Sequence, residues 1–276
     1  MKKILGALLF ITSICAAQAD ETATSLAQTI VGEQRSAEHK ARDIYRHPQK
    51  TLAFFDIQDT MTVVEVWPGE GWYTEILAPY LRNKGKLYAA HYSAKTDEPY
   101  FKKSLDKFVK KMHEQPQFYN KVEITELEPP KVLMIAPDNS ADLVLSFRNT
   151  HNWMGIDQAA SVYVAMYKAL KPGGILGVVE HRYNLFKPQN KITTAGYVNE
   201  DDVIALARSA GFEFLEKSEI NANHKDKKNY PKGVWTLPPT WALKDQDREL
   251  YEAIGESDRM TIKFIKPSNS QGAHFN

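Results

Sequence analysis

Cysteine is almost absent from this chain. The single Cys15 lies in an amino-terminal apolar run, so the rest of the sequence offers no disulfide, no thiolate metal ligand and no thiol nucleophile. Net charge is lacking too: 35 lysines and arginines face 34 aspartates and glutamates. That near-balance argues against a nucleic-acid partner, which calls for a basic excess to neutralise phosphates. No Gly-x-Ser-x-Gly segment occurs, which removes the nucleophile elbow of a serine hydrolase. Beyond the first nineteen residues no apolar run is long enough to span a bilayer. Internal repeats and low-complexity linkers are missing as well, so nothing forces a division into two domains.

The first nineteen residues carry the pattern of a secretory signal. Lys2 and Lys3 form a positive start, Ile4 to Ala16 an apolar stretch, and Ala17-Gln18-Ala19 a small-x-small cleavage site before Asp20. Ile14 stands before Cys15, where lipoprotein processing wants a small residue. Cleavage after Ala19 removes two lysines, leaving 33 basic against 34 acidic residues. It implies a periplasmic or secreted protein with no stable membrane insertion. Residues 20–276 then read as one α/β domain. Residues 20–32 are expected to be loose and 33–55 to form two short helices divided at Pro48, a possible lid. A core follows over 56–220, with a cap insertion at 221–259 and a last strand and tail at 260–276. Strands are expected at 62–67, 86–91, 122–125, 142–147, 175–181, 213–220 and 260–265, with helices at 98–113, 157–169 and 200–209. This alternation implies a mainly parallel sheet covered on both faces.

The most informative segment is Val63-Val64-Glu65-Val66-Trp67-Pro68-Gly69-Glu70-Gly71-Trp72-Tyr73-Thr74. A β-forming run enters an acidic residue, then a Gly-x-Gly turn, then a helical pattern. Glycines belong there because a ligand must approach the backbone closely. Thr74 stands where the dinucleotide fingerprint wants its third glycine, against a nicotinamide dehydrogenase. Two later segments have the same character: the Pro172-Gly173-Gly174 turn into an apolar strand ending at Glu180, and Ala210-Gly211-Phe212 closing a helix before a strand.

Together these three ordered segments resemble class I S-adenosylmethionine (SAM) dependent methyltransferases. Ser146 to Trp153 and Ile254 to Thr261 resemble a group of exported bacterial methyltransferases. The resemblance implies a Rossmann-like fold, with a mainly parallel twisted sheet, an N-terminal helical segment and a cap before the last strand. It implies SAM as cofactor, held around Glu65, Trp67, Gly69, Gly71, Tyr73 and Thr74. His91 ends the second strand where the family usually has an acid for the ribose, and Glu126 follows the third strand near the adenine position. Trp67 replaces the first glycine, and its indole either walls the site or fills it.

On the acceptor side, Arg148 can bind a carboxylate or phosphate, and Asn149 can orient an acceptor atom. His151 is the candidate general base, with His181 and Glu180 nearby. No Cys/His ligand spacing points to a metal, although His91, His151 and His181 could converge at the strand ends. Two functions remain open: a methyltransferase acting on a small-molecule acceptor, and an exported binding protein that has lost methyl transfer. The sequence carries no signal for oligomeric state.

Overall fold

The computed structural model of the chain describes residues 25–183 and 195–268; the leader-like residues 1–19 lie outside them. Four short helices come first: α1 (Leu26–Val31), α2 (Ala37–Ala41), α3 (Asp43–Arg46) and α4 (Pro48–Phe54). Residues 26–31, expected to be loose, are helical because Ser25 and Gln28 close a reciprocal capping box. The stretch 33–55 holds three helices rather than two. His47 adopts a left-handed backbone (φ 40°) and Pro48 opens the next helix there. Of the expected packing residues, Leu52 and Phe55 are fully buried, whereas Ile44 is exposed and so is Ala41.

The sheet alternates with helices in the expected order. β1 (Thr62–Val66), α5 (Thr74–Leu81) and β2 (Lys86–His91) are followed by α6 (Pro99–Glu114), α7 (Pro116–Tyr119) and β3 (Val122–Glu126). Then come β4 (Ala141–Phe147), α8 (Thr150–Gly155), α9 (Ala159–Ala169), β5 (Leu170–His181), α10 (Glu200–Ser209) and β6 (Glu213–Ser218). A 3-10 turn over Gly233–Thr236 and α11 (Arg248–Ile254) lead to β7 (Arg259–Ile265). The strand order is β3-β2-β1-β4-β5-β7-β6. The first five strands are parallel, while β7 runs antiparallel between β5 and β6.

Period-two alternation builds a core on each face. Val64, Val66, Tyr88, Ala90 and Val144 point into a cluster with α9 and α10 residues such as Val162, Met166 and Val203. Val63, Leu87, Ala89, Leu143 and Leu145 point the other way, against Ile76, Leu77, Phe108 and Phe55. Gly177 in β5 is small for a packing reason, since a Cβ there would lie 2.8 Å from the Phe55 ring. That close approach seats α4 on the sheet, and with it the segment carrying Arg46.

The cap belongs to the C-terminal ends of the strands. Asn221 bonds Thr51 Oγ1 at 3.0 Å and Thr261 Oγ1 at 2.9 Å, joining the cap to α4 and β7. Crossovers leave β1 and β4 in opposite directions, so the crevice between their carboxyl ends is where an open α/β sheet binds ligands. Among the described residues, no helix is long and apolar enough to cross a membrane.

Candidate functional site

A cleft of about 480 Å³ opens at the carboxyl ends of β1 and β4. Its floor is the turn after β1, where Glu65, Trp67 and Gly69 line it. Glu65 is buried and accepts a 2.6 Å hydrogen bond from Thr74 Oγ1. Burial pushes its carboxyl up to about 7, even though the Thr74 hydroxyl pulls the other way. Gly69 has φ 61°, and a Cβ there would meet nothing within 4 Å. The loop thus offers bare backbone to open space.

The turn is braced from below. His91 Nδ1 accepts from the Tyr92 N–H at 2.8 Å, so the neutral ring carries its proton on Nε2 and donates it to the Gly69 carbonyl at 2.8 Å. Burial lowers this imidazole to about 4, which keeps it neutral. From β4's end, Asn149 Nδ2 donates to the carbonyls of Val66 at 2.8 Å and Trp67 at 3.3 Å. Trp67 has a left-handed backbone (φ 46°), the geometry a glycine would adopt without cost. Its indole turns into the protein: Nε1 donates to the Leu127 carbonyl at 3.0 Å. The ring packs against Tyr92, Phe101 and Trp153 with centroids 4.8–5.4 Å apart.

Positive charge gathers at the other side of the cleft. Arg148 (φ 63°) follows β4 and lines the cleft beside Arg46 from α3. Arg46 lies 4.5 Å over the Trp72 ring. Behind them Glu256 accepts from Arg42 Nε at 2.6 Å, bonds Arg259 and stands 3.6 Å from Arg46 Nε. Burial would raise the Glu256 carboxyl, but Arg259, Arg46 and Arg42 outweigh it and hold the group well below the carboxylate range. The cap supplies Trp235 and Thr240 as a cover. His151 lines the same cleft, with Nδ1 3.1 Å from Glu180 Oε1 and its ring edge-on to Trp235.

Similar solved structures share this architecture. A SAM-dependent methyltransferase from Aquifex aeolicus aligns over 82% of this chain and 93% of its own, with 16% identity and a TM-score of 0.54. The [4+2]-cyclase SpnF aligns over 87% and 86%, with 17% identity and a TM-score of 0.57. A geranyl diphosphate methyltransferase solved with SAM aligns over 87% and 94%, with 12% identity and a TM-score of 0.52. This is the class I SAM-dependent methyltransferase fold. No protein-family model matches the sequence, and no curated protein matches it either.

On this methyltransferase fold the sequence-predicted residues separate into two sets. Glu65, Trp67, Gly69, Tyr73, Arg148, Asn149 and His151 line the cleft together. Gly71, Thr74, His91, Glu126 and His181 do not line it. Gly71 faces Phe108, 3.2 Å from where its Cβ would lie. Thr74 is spent on Glu65, and His91 has both ring nitrogens engaged inside the protein. Glu126 sits on the edge strand in register with His91. His181 Nδ1 bonds Ser257 Oγ at 2.5 Å, and burial, His151 and neighbouring arginines lower its ring well below the ordinary value.

His151, Glu180 and His181 do converge, with ligand atoms within 4.8 Å of one another, but His91 is not among them. Arg259, Arg148 and Arg46 bear on His181 of that trio, a potential unfavourable to a divalent cation. Glu180 already accepts from the His151 and His181 backbone N–H groups. Sequence reasoning missed Arg46, Trp72, Phe147, Tyr92 and Phe101 as cleft residues. Their only sequence signal was aromatic and basic density beside the glycine loop and in the helical segment.

Glu65 gives the site a pH signature. Its folded carboxyl keeps its proton up to about pH 7, against an ordinary value of 4.5. Its stabilising contribution is therefore fully present below pH 4.5 and is lost as pH rises through about 7. Relative to Glu65→Gln, the wild type should lose on the order of 3 kcal/mol between pH 4.5 and 8 in urea unfolding. A difference between the two proteins that stays flat across that range would contradict the burial argument.

Proposed function

We propose that this protein is a SAM-dependent methyltransferase acting on a small-molecule acceptor in the bacterial periplasm. Gly69 carries the reading, because its bare backbone faces open space in the cleft, beside a buried acidic residue. That combination suits the aminoacyl end of SAM: the Glu65 carboxylate for the ammonium group and the loop backbone for the chain. Tyr92, Tyr100 and Phe101 line the same cleft and offer aromatic faces for a purine. No carboxylate ends β2 for the ribose hydroxyls, so any diol contact must come from elsewhere.

When bound, SAM supplies an already activated methyl group. The protein's own work is then alignment, exclusion of water and removal of a proton. Asn149 fixes the β1 turn against the end of β4. Trp235 and Thr240 of the cap shield the cleft. His151, steadied through Nδ1 by Glu180, is the candidate base. Phe147 and Tyr73, stacked at 3.6 Å with nearly parallel rings, form a rigid wall. The geranyl diphosphate methyltransferase of the same fold is a precedent for a small acceptor.

One observation favours a second reading, a binding protein of this fold without methyl transfer. The Trp67 indole already occupies space among residues that follow β2, β3 and β4, with its N–H satisfied by Leu127. SpnF, a [4+2]-cyclase, also warns that the fold does not dictate the reaction.

Titration calorimetry with S-adenosylhomocysteine separates the two. The methyltransferase reading predicts micromolar binding by the wild type and at least a tenfold loss in Trp67→Gly, roughly 1.4 kcal/mol. No binding by the wild type, with binding gained in Trp67→Gly, would establish the indole as a plug. The periplasmic part rests on the leader pattern of residues 1–19. Protein recovered from the envelope of a bacterial host should begin at or near Asp20; an intact Met1 or a lipid-modified Cys15 would overturn it.

A further inference from the structure

Four guanidinium groups meet at one side of the cleft, and one carboxylate answers them. Arg42, Arg46 and Arg259 all pair with Glu256. Arg148 has no ion pair among the described residues. Among the described residues only Glu256 pairs with this group, so positive charge is in excess in a largely desolvated place. Arg46 is 4% exposed, and its Nε and Nη1 atoms are buried without a hydrogen-bond partner. Both Arg46 and Arg148 line the cleft. Unsatisfied buried donors of this kind are costly and rare, and arginine forks match planar oxyanions bidentately.

We propose that Arg46 and Arg148 form an oxyanion-binding site that holds a dianionic group, a phosphate or a pair of carboxylates, on the substrate. The assignment of that group to the methyl acceptor rests on the methyltransferase reading, whereas the anion site itself does not. The surrounding architecture supports it. Trp72 lies beneath Arg46 at 4.5 Å and holds the guanidinium flat. The left-handed backbone of Arg148 is a conformation side chains rarely adopt, and it is retained at a position facing the cleft. Glu256 and Arg42 fix the rear of the cluster without neutralising it. Burial and mutual repulsion lower both Arg46 and Arg148, the latter to about 10. Arg148 stays charged at neutral pH, and an arriving dianion relieves that repulsion.

The polarity also explains why the His151–Glu180–His181 trio is a poor cation site. A divalent metal would add charge beside three arginines, whereas an anion removes it. The acidic residue that lines the cleft is Glu65, whose raised proton affinity leaves it partly neutral near pH 7.

The test is calorimetry and thermal stabilisation of the full protein with inorganic phosphate and, separately, succinate, each against potassium chloride at equal ionic strength. Stabilisation by either dianion beyond chloride is expected, and the tighter of the two names the substrate group as phosphoryl or carboxyl. Arg148→Gln should weaken binding about tenfold or more, and Arg148→Lys should restore part of it. Because Arg46 is buried and its variants could fail to fold, the less deeply buried Arg148 carries the test, with the exposed Lys50→Gln as an unaffected control. Equal stabilisation by chloride, or wild-type affinity in Arg148→Gln, would overturn the site. Phosphate is then titrated with S-adenosylhomocysteine already bound. Independent binding supports the acceptor assignment, and competition would overturn it by giving the arginines to the cofactor's own carboxylate. Phosphate binding by a protein that ignores S-adenosylhomocysteine would uphold the anion site and overturn the methyltransferase reading.

Discussion

The Glu256 carboxylate and the arginines around it tie together parts of the chain that are far apart in sequence. Arg42 and Arg46 come from the N-terminal helices, Arg259 begins β7, and Glu256 closes the cap. A buried ion network of this kind is weak evidence for stability, since desolvation cancels much of the attraction. Its consequence is positional. Removing the carboxylate would leave a group of buried arginines with no counter-charge, so the helical segment, the cap and β7 must assemble around it in one arrangement. That arrangement brings Arg46 beside Arg148 at the mouth of the β1–β4 crevice. The cleft's charge therefore follows from how the cap is fastened.

At the opposite side the constraint is backbone geometry. Trp67 takes the left-handed conformation that a glycine would accept freely, and two partners hold it there. Its own N–H donates to Ala90 at 2.8 Å, and its carbonyl accepts from Asn149. The side chain that should be a liability becomes the centre of an aromatic cluster with Tyr92, Phe101 and Trp153. His91 fills a similar role below Gly69. The end of β2, instead of presenting an acid, locks the loop that faces the cleft.

The fold was largely legible in the sequence because periodicity reports burial directly. Near-continuous apolar runs such as Val63–Val66 and Leu143–Leu145 mark strands with two covered faces, and Gly-rich turns mark their ends. What escaped was the consequence of long-range contacts. The capping box at Ser25 made a helix of residues expected to be loose. The insertion of β7 between β5 and β6 follows from pairing that no local pattern encodes. In the site, the residues on the β1 turn and after β4 were legible because the topology puts strand ends at the crevice. Arg46 was not, since a single arginine on a short helix looks like any solvated charge until Glu256 and Trp72 bury it. His91 and His181 looked like ligands in the sequence, but both His91 nitrogens are engaged by Gly69 and Tyr92, and His181 Nδ1 is engaged by Ser257.

The central claim is that the crevice between β1 and β4 binds an aminoacyl nucleoside over Gly69 while its arginine side takes an anion. A crystal structure grown with S-adenosylhomocysteine and phosphate tests it most directly. The account predicts the ligand's amino group against Glu65, its chain over the Gly69 backbone, and phosphate bridging Arg46 and Arg148. An empty crevice with Trp67 in place, or a ligand bound elsewhere on the protein, would contradict it.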